Sequence, residues 1–295
     1  MLQDLVFAMS LGSIYLLFAL GMSLVWGTIG ILNFAHGVIF MFAAFVAYLI
    51  SQEVTLGLPL LVLIGIAVGA LMSVGIQLLA FEPILRRAKD FRTAELQILI
   101  GGIGVATIPL AIAQHETKSN PFGITTSFDS QTYEVFGVRI STTQIIIIVA
   151  AVVFSAALAI WLRRSRHGLA LRAIGVDSET SSLMGANRAR LAIGAMGLSG
   201  GLAGLAGVLL TLNLGAITPE SGDALLVTAF AAVILGGVGS VLGVVVGSYA
   251  LAMIETWVLV NTSGTWVAAV SFGIIFLVLL FRPQGLFGHA EVRRT

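Results

Sequence analysis

Long apolar runs broken by short polar knots set the plan of this chain. The runs lie at 5–26, 34–51, 58–81, 95–113, 143–162, 191–213, 225–238, 241–260 and 264–281, with few or no charges in each. A run near 20 residues crosses the hydrocarbon core as a helix, because a helix satisfies its backbone groups within itself. The pattern predicts an all-α, polytopic transmembrane bundle of eight or nine membrane segments. The seventh run is short, and Gly239 and Ser240 alone part it from the eighth. No linker-like or low-complexity tract divides residues 1–295, which read as a single membrane domain. The first run is too long for a cleavable leader, follows Asp4 and has no basic residues ahead of it, so it reads as the first span.

The polar knots set orientation. Arg86, Arg87, Lys89 and Arg92 follow the third run, Arg163, Arg164, Arg166, Arg172, Arg188 and Arg190 follow the fifth, and Arg282, Arg293 and Arg294 follow the last. The 115–141 connection has Lys118 and Arg139 against Glu116, Asp129 and Glu134. The positive-inside bias places the three Arg-rich stretches in the cytoplasm and 115–141 outside. The N-terminus is then outside and the C-terminus inside, provided that 225–260 crosses twice.

Composition narrows the class further. The 295 residues are 58% hydrophobic and 10% charged, against roughly 25% charged in soluble domains. There is no cysteine, which excludes disulfides, thiolate metal sites and cysteine nucleophiles. Four scattered histidines give no metal-ligand spacing, and no metal site is expected. The formal net charge of +1 gives no reason to expect a nucleic-acid partner.

Two features suggest halves of opposite orientation. SLGSIYLLFALG from Ser10 resembles SGGLAGLAGVLL from Ser199, FAAFVAY from Phe42 resembles FAAVILG from Phe230, and GIAVG from Gly65 resembles GVVVG from Gly243. The order is the same and the assigned direction reversed, the mark of an inverted repeat with broken helices at mid-membrane. The breaks fall at two places. Asn33 and His36 stand in the apolar stretch GILNFAHGVIF between Gly30 and Gly37, where an amide and an imidazole need protein partners or water. Gly236, Gly237 and Gly239 interrupt the 225–260 run. These six residues, Asn33, His36, Gly37, Gly236, Gly237 and Gly239, are the candidates for the translocation path; the alternative for Asn33 and His36 is that they tie helices together. Most of the other glycines serve close helix packing.

The 163–190 connection is the most patterned polar segment. Asp177, Ser178 and Glu179 are helix-start residues, Leu183 and Met184 give a short apolar face, and Gly185 and Asn187 are stop residues. They predict a helix of about two turns on the cytoplasmic side, suited to docking in a partner's groove. The alternative is a plain connection bearing positive-inside arginines.

Asn33-Phe34-Ala35-His36-Gly37, preceded by SLGSIYLLFALGMSLVWG, resembles the N-terminal signature of the permease subunits of bacterial branched-chain amino acid ABC importers. Leu171-Arg172-Ala173, Asp177-Ser178-Glu179 and Gly185-Ala186-Asn187 resemble that family's ATPase-coupling motif; Phe230 to Glu255 and Arg282-Pro283-Gln284-Gly285-Leu286-Phe287-Gly288 also match. The shorter of the two paired permease types is the nearer likeness. The resemblance implies a bacterial inner-membrane subunit, without cofactor of its own, that works with a second permease, two cytoplasmic ABC ATPases and a periplasmic or lipid-anchored solute-binding protein. Its cargo would be a branched-chain amino acid, with related amino acids or amides as variants. Arg172, Asp177, Glu179, Gly185 and Asn187 would couple to the ATPase, and Thr180 and Ser181 depart from the motif's usual alanines. The residues agree on one point independently: neither lysine, Lys89 nor Lys118, follows a glycine, so the chain has no phosphate-cradling P-loop.

Two rival classes have a residue each. Glu255 is the one acid well inside an apolar run and is a candidate proton relay for an ion-coupled carrier. Ser199 in Gly197-Leu198-Ser199-Gly200 matches the intramembrane serine hydrolases, but the only later histidine, His289, lies beyond the last span, which leaves the serine without a base.

Overall fold

The computed structural model describes residues 2–288 except 89, 136, 263 and 283, and of 91, 92, 135, 178 and 179 the backbone. Lys89, Pro283, His289, Arg293 and Arg294 lie outside the described residues. Every apolar run is a helix. In order these are α1 (Leu2–Ile29), α2 (His36–Glu53), α3 (Leu58–Ile76) with a π turn (Gln77–Phe81) and α4 (Glu82–Arg87) continuing it, and α5 (Phe91–Thr117). A hairpin of β1 (Thr132–Val135) and β2 (Val138–Ser141) leads into α6 (Thr142–Arg164), α7 (Arg166–Val176), α8 (Ser178–Leu183) and α9 (Arg188–Leu214). The chain closes with α10 (Ser221–Gly236), α11 (Val241–Asn261) and α12 (Thr265–Phe281). Among the described residues seven spans are long and apolar enough to cross a membrane; α10 and α12 are shorter.

Local chemistry explains several boundaries. Asp90 accepts from the Thr93 amide at 2.8 Å and starts α5. Ser141 and Gln144 form a reciprocal capping box at the head of α6. The π turn ends two residues before Pro83, whose ring cannot sit against the carbonyl four residues back, so the turn widens.

The core is not shared evenly. In α1 and α9 the most apolar window is 72% and 78% buried, against 22–28% for the spans of α3–α4, α5 and α6. The latter helices form an outer shell whose apolar windows are mostly exposed. Helix α9 packs most extensively on α3 and α1, and α1 packs on α11. Between helices in lipid no hydrophobic force operates, so close approach of small residues holds them. A Cβ on Gly204 would strike the Gly65 carbonyl, and one on Gly200 would strike that of Gly69. As α3 advances from Gly65 to Gly69, α9 retreats from Gly204 to Gly200, so the two run antiparallel. Gly12 beside Ala252 and Gly27 beside Gly239 make α1 and α11 antiparallel as well.

The basic stretches share one end of the bundle. Arg188 reaches the Ile29 carbonyl at 3.4 Å, a cleft joins Ile29 to Glu82 and Arg86, and Leu286 and Phe287 bond back to Leu235 and Gly236. At the other end Gln3 bonds Arg139, Leu56 pairs with Thr126 and Phe122 pairs with Ile217. Helices α10 and α11 therefore run to the basic end and back, the double crossing that orientation required. The 115–141 connection is anchored: Phe122 is buried between Phe45 and Tyr48, with ring centroids 5.7 and 5.4 Å away.

The repeat register differs from the sequence pairing. Helices α1 and α9 end at Ile29 and Leu214, Gly30 and Gly215 follow with φ of 76° and 83°, and α2 and α10 begin at His36 and Ser221. At this constant offset Gly37 matches Gly222, and the two touch: a Cβ on either would strike the other's carbonyl. Mates in contact lie on the axis relating the halves. The pairings of Ser10 with Ser199, Phe42 with Phe230 and Gly65 with Gly243 are thus out of register, since small apolar residues recur too often to fix one. The partner of the 30–35 break is 215–220, not 236–239.

Gly204→Leu is expected to destabilise the protein by about 1–3 kcal/mol through overpacking at the α3–α9 crossing. Gly104→Leu, where nothing lies within 4 Å of the added Cβ, is expected to melt like the parent protein. Thermal melting of the two detergent-extracted variants checks both.

Candidate functional site

The chain leaves helix at Gly30, and six residues later α2 begins at His36. The Asn33 side-chain oxygen accepts from the Ala35 amide at 3.0 Å, a local turn that aims the helix start. Its side-chain nitrogen is buried without a hydrogen-bond partner. The imidazole of His36 is fully buried and sits on Phe18, 4.5 Å between ring centroids, about half way along α1. Nε2 lies 3.1 Å from the Phe18 carbonyl, and Nδ1 faces the Ser199 hydroxyl of α9 at 3.5 Å. A carbonyl only accepts, so Nε2 carries the proton and Nδ1 is left to accept from Ser199. With Gly37 backed on Gly222, the heads of α2 and α10 meet each other, and that of α2 lies against the middles of α1 and α9. Asn33 and His36 face protein there.

Ser199 thus has a histidine in reach, His36 from an earlier segment, which corrects the expectation that it lacks a base. Ser199 is 1% exposed and His36 0%, so no scissile group can approach the pair. Its chemistry is that of a tie between helices.

The second glycine cluster turns the chain at the basic end. Gly237 and Gly239 hold φ of 101° and 78°, and Ser240 caps α11 by accepting from the Gly243 amide. Gly236 packs on Gly243, Ser23 accepts from the Gly239 amide at 3.1 Å, and Gly27 abuts Gly239. The 236–239 turn therefore clasps the end of α1, away from the His36 crossing. Sequence reading missed the 215–220 break, although the polar knot between the sixth and seventh runs marked it.

The 163–190 segment forms two helices where one was expected. Ser165 caps α7, whose Leu171 and Ile174 are buried; its Gly175 backs onto Gly27 and Thr28 of α1. Asp177 starts α8 by accepting from the amide and hydroxyl of Thr180 at 3.0 and 2.6 Å, and Gly185 ends it at φ 90°. Asn187 is not a stop: its side chain caps the start of α9 by accepting from the Arg190 amide. A helix pair was legible only once α7 had α1 to bury against. Val176, Leu183 and Met184 are 82–90% exposed at this end, and Arg172 is exposed beside a cleft of about 580 Å³ formed by α1, α6, α7 and the 238–242 turn.

Glu255 is 2% exposed in α11. Its carboxylate accepts from the Tyr15 hydroxyl of α1 at 2.6 Å and from the Ser271 hydroxyl of α12. Outside the spans, the amide of Gln114 donates to Glu220 at 2.7 Å and holds its carboxyl below the usual range. Among the described residues no three His, Asp or Glu gather as a metal site.

A family described as "Branched-chain amino acid transport system / permease component" matches residues 5–280. The chain is 32% identical to the high-affinity branched-chain amino acid transport system permease protein BraD of Pseudomonas aeruginosa, over 100% of this chain and 98% of that one. It is 32% identical to the permease protein LivH of the same kind of system in Escherichia coli, over 100% and 97%. The permease protein LivM of Salmonella typhimurium is 27% identical over 92% of this chain and 67% of that one. No solved structure matches.

His36→Leu removes the side-chain bond to the Phe18 carbonyl, which keeps its intrahelical partner, and loosens the crossing, whereas Ser199→Ala loses one long hydrogen bond. Interhelical hydrogen bonds in membranes average about 0.6 kcal/mol and reach about 1.7. Ser199→Ala is expected at or below the average and His36→Leu at about the upper value, both read by denaturation of the purified protein in mixed micelles.

Proposed function

The chain belongs to the branched-chain amino acid transport system permease family, and on that premise we propose that it is the membrane-spanning subunit of an ATP-driven importer of branched-chain amino acids, with related amino acids or amides as variants. It works in the bacterial inner membrane with its N-terminus outside and C-terminus cytoplasmic. Its partners are a second permease, two cytoplasmic ATPases and a periplasmic or lipid-anchored binding protein. It holds no cofactor, and nucleotide chemistry belongs to the partner chains. The observation that carries this reading is the family match across 5–280 in a chain that presents exposed Val176, Leu183 and Met184 on a short helix pair at its basic end. Large apolar side chains held out at a bundle end on a capped helix suit a groove in another protein.

The geometry supports a route for motion. A push on α8 passes to α7, from Gly175 to the end of α1, and from Gly27 to the turn at Gly239. The two halves then rock about the crossing at Gly37 and Gly222. Glu179 and Arg172 lie on this helix pair. Selectivity rests largely with the binding protein.

Glu255 favours one second reading, an ion-coupled carrier, since a buried carboxyl held by two hydroxyls can take up a proton. The two part in liposomes. The ATP-driven reading expects no uptake by this chain alone under a pH gradient; uptake there, lost in Glu255→Gln, would establish the carrier instead.

The Leu183→Asp, Met184→Asp double variant is expected to insert and melt as the parent does but to lose at least about ten-fold in ATPase recovered with it on affinity purification. Gly185→Trp, forced to a φ of 90° that side chains avoid, is expected to leave ATP hydrolysis running while uptake falls. Unchanged recovery and unchanged coupling together would remove the docking assignment.

A further inference from the structure

At the end opposite the arginines, α1, α9, α10 and α12 enclose an open cavity of about 520 Å³. That is within the roughly 300–1,000 Å³ of small-molecule pockets. One wall is apolar, with Leu11, Leu210, Leu225 and Phe272. The polar wall holds Tyr15, Thr228 and Ser271, each at least nine-tenths buried, and the exposed Asp223 on the first turn of α10.

The hydrogen-bond polarity of that wall is fixed from behind. A hydroxyl has one proton to give. Tyr15 and Ser271 both donate theirs to Glu255, and Thr228 donates to the Ala224 carbonyl at 3.4 Å. What the three turn toward the cavity is lone pairs. Asp223 adds a carboxylate, which only accepts, and no ion pair to a described cation neutralises it. Ser221, also on the lining, accepts from the Thr218 amide at 3.0 Å. A wall dominated by acceptors and bearing a carboxylate, facing an apolar wall, favours a group made wholly of donors. A primary ammonium is that group.

We propose that this cavity is the outer recognition site for the solute's ammonium group, with Asp223 as its counter-charge, the apolar wall taking an aliphatic side chain, and Glu255 as a positioning residue that keeps Tyr15 and Ser271 facing as acceptors. The ligand class is a small zwitterion or amine with an aliphatic chain. The proposal rests on the transport reading for its purpose, though not for its chemistry.

The absence of cysteine from this chain lets an introduced thiol be read on it alone, in the assembled transporter in spheroplasts, once the chain is separated from its partners after labelling. Ala224→Cys and Ala268→Cys place a thiol on the cavity wall, and Ala111→Cys places one on the exposed face of α5. Each is treated from outside with membrane-impermeant methanethiosulfonates bearing a trimethylammonium or a sulfonate. The cavity thiols are expected to react about ten-fold faster with the cationic reagent, with leucine slowing the reaction, while the α5 thiol stays inert. Adding Asp223→Asn is expected to abolish the charge preference and to raise the leucine concentration for half-maximal uptake about ten-fold at unchanged maximal rate; Asp223→Glu is expected to restore both. Glu255→Gln, whose amide donates, is expected to weaken leucine protection, and Glu255→Asp to retain it. Inert cavity thiols in a transporter that still takes up leucine would mean lipid fills the space and would overturn the proposal, as would equal rates with both reagents. If the preference and its loss in Asp223→Asn hold while the parent complex imports no amino acid, the cavity assignment stands and the transport reading fails.

Discussion

Backbone-to-backbone contact between helices in a medium without water is the constraint on which this structure depends. In lipid, apolar side chains gain nothing by leaving the solvent for each other, so association must come from close packing and the few polar ties. The chain meets that with glycines at its crossings: Gly65 and Gly69 against Gly204 and Gly200, Gly27 against Gly239, Gly37 against Gly222. Each admits backbone where a methyl group would sit, a carbonyl at three of the crossings and the Cα of Gly239 at Gly27. The outer spans can then stay mostly exposed without loosening the core of α1 and α9.

The contact of Gly37 with Gly222 also organises the two halves. Two short helices start head to head where two long ones cross, which gives the halves a shared pivot that is small and rigid. Around it the polar ties divide the labour. His36 holds α1 and α9 to the pivot, while Glu255 binds α1 and α12 to α11. Neither carboxylate nor imidazole is spare, and their value lies in where they leave other groups pointing. The basic end, by contrast, presents exposed apolar residues on α7 and α8 and a glycine contact that leads into α1.

Family and tertiary structure carry different parts of the picture. Membership in the permease family sets the class of protein to which the chain belongs. It leaves open which surfaces do what. Those assignments come from burial, from hydrogen-bond direction and from which residues share a cavity.

Much was legible in the chain itself. Nine apolar runs, their lengths and the Arg-rich knots determined the helices and the shared basic end, because membrane thickness and charge placement act on local stretches of sequence. The breaks at Gly30 and Gly237 were readable for a similar reason: glycine and polar residues inside an apolar run have few local uses. Only the tertiary structure decided what those residues meet. The repeat register needed Gly37 and Gly222 in contact. The base beside Ser199 came from 163 residues earlier in the chain. Helix α7 needed the end of α1 to bury Leu171 and Ile174, and Asn187 proved a cap once α9 had a start. The polarity of the Tyr15 and Ser271 hydroxyls was set by a carboxylate on another helix. Long-range partners of this kind leave no periodicity in a sequence, since helix crossings are fixed by shape and not by spacing along the chain.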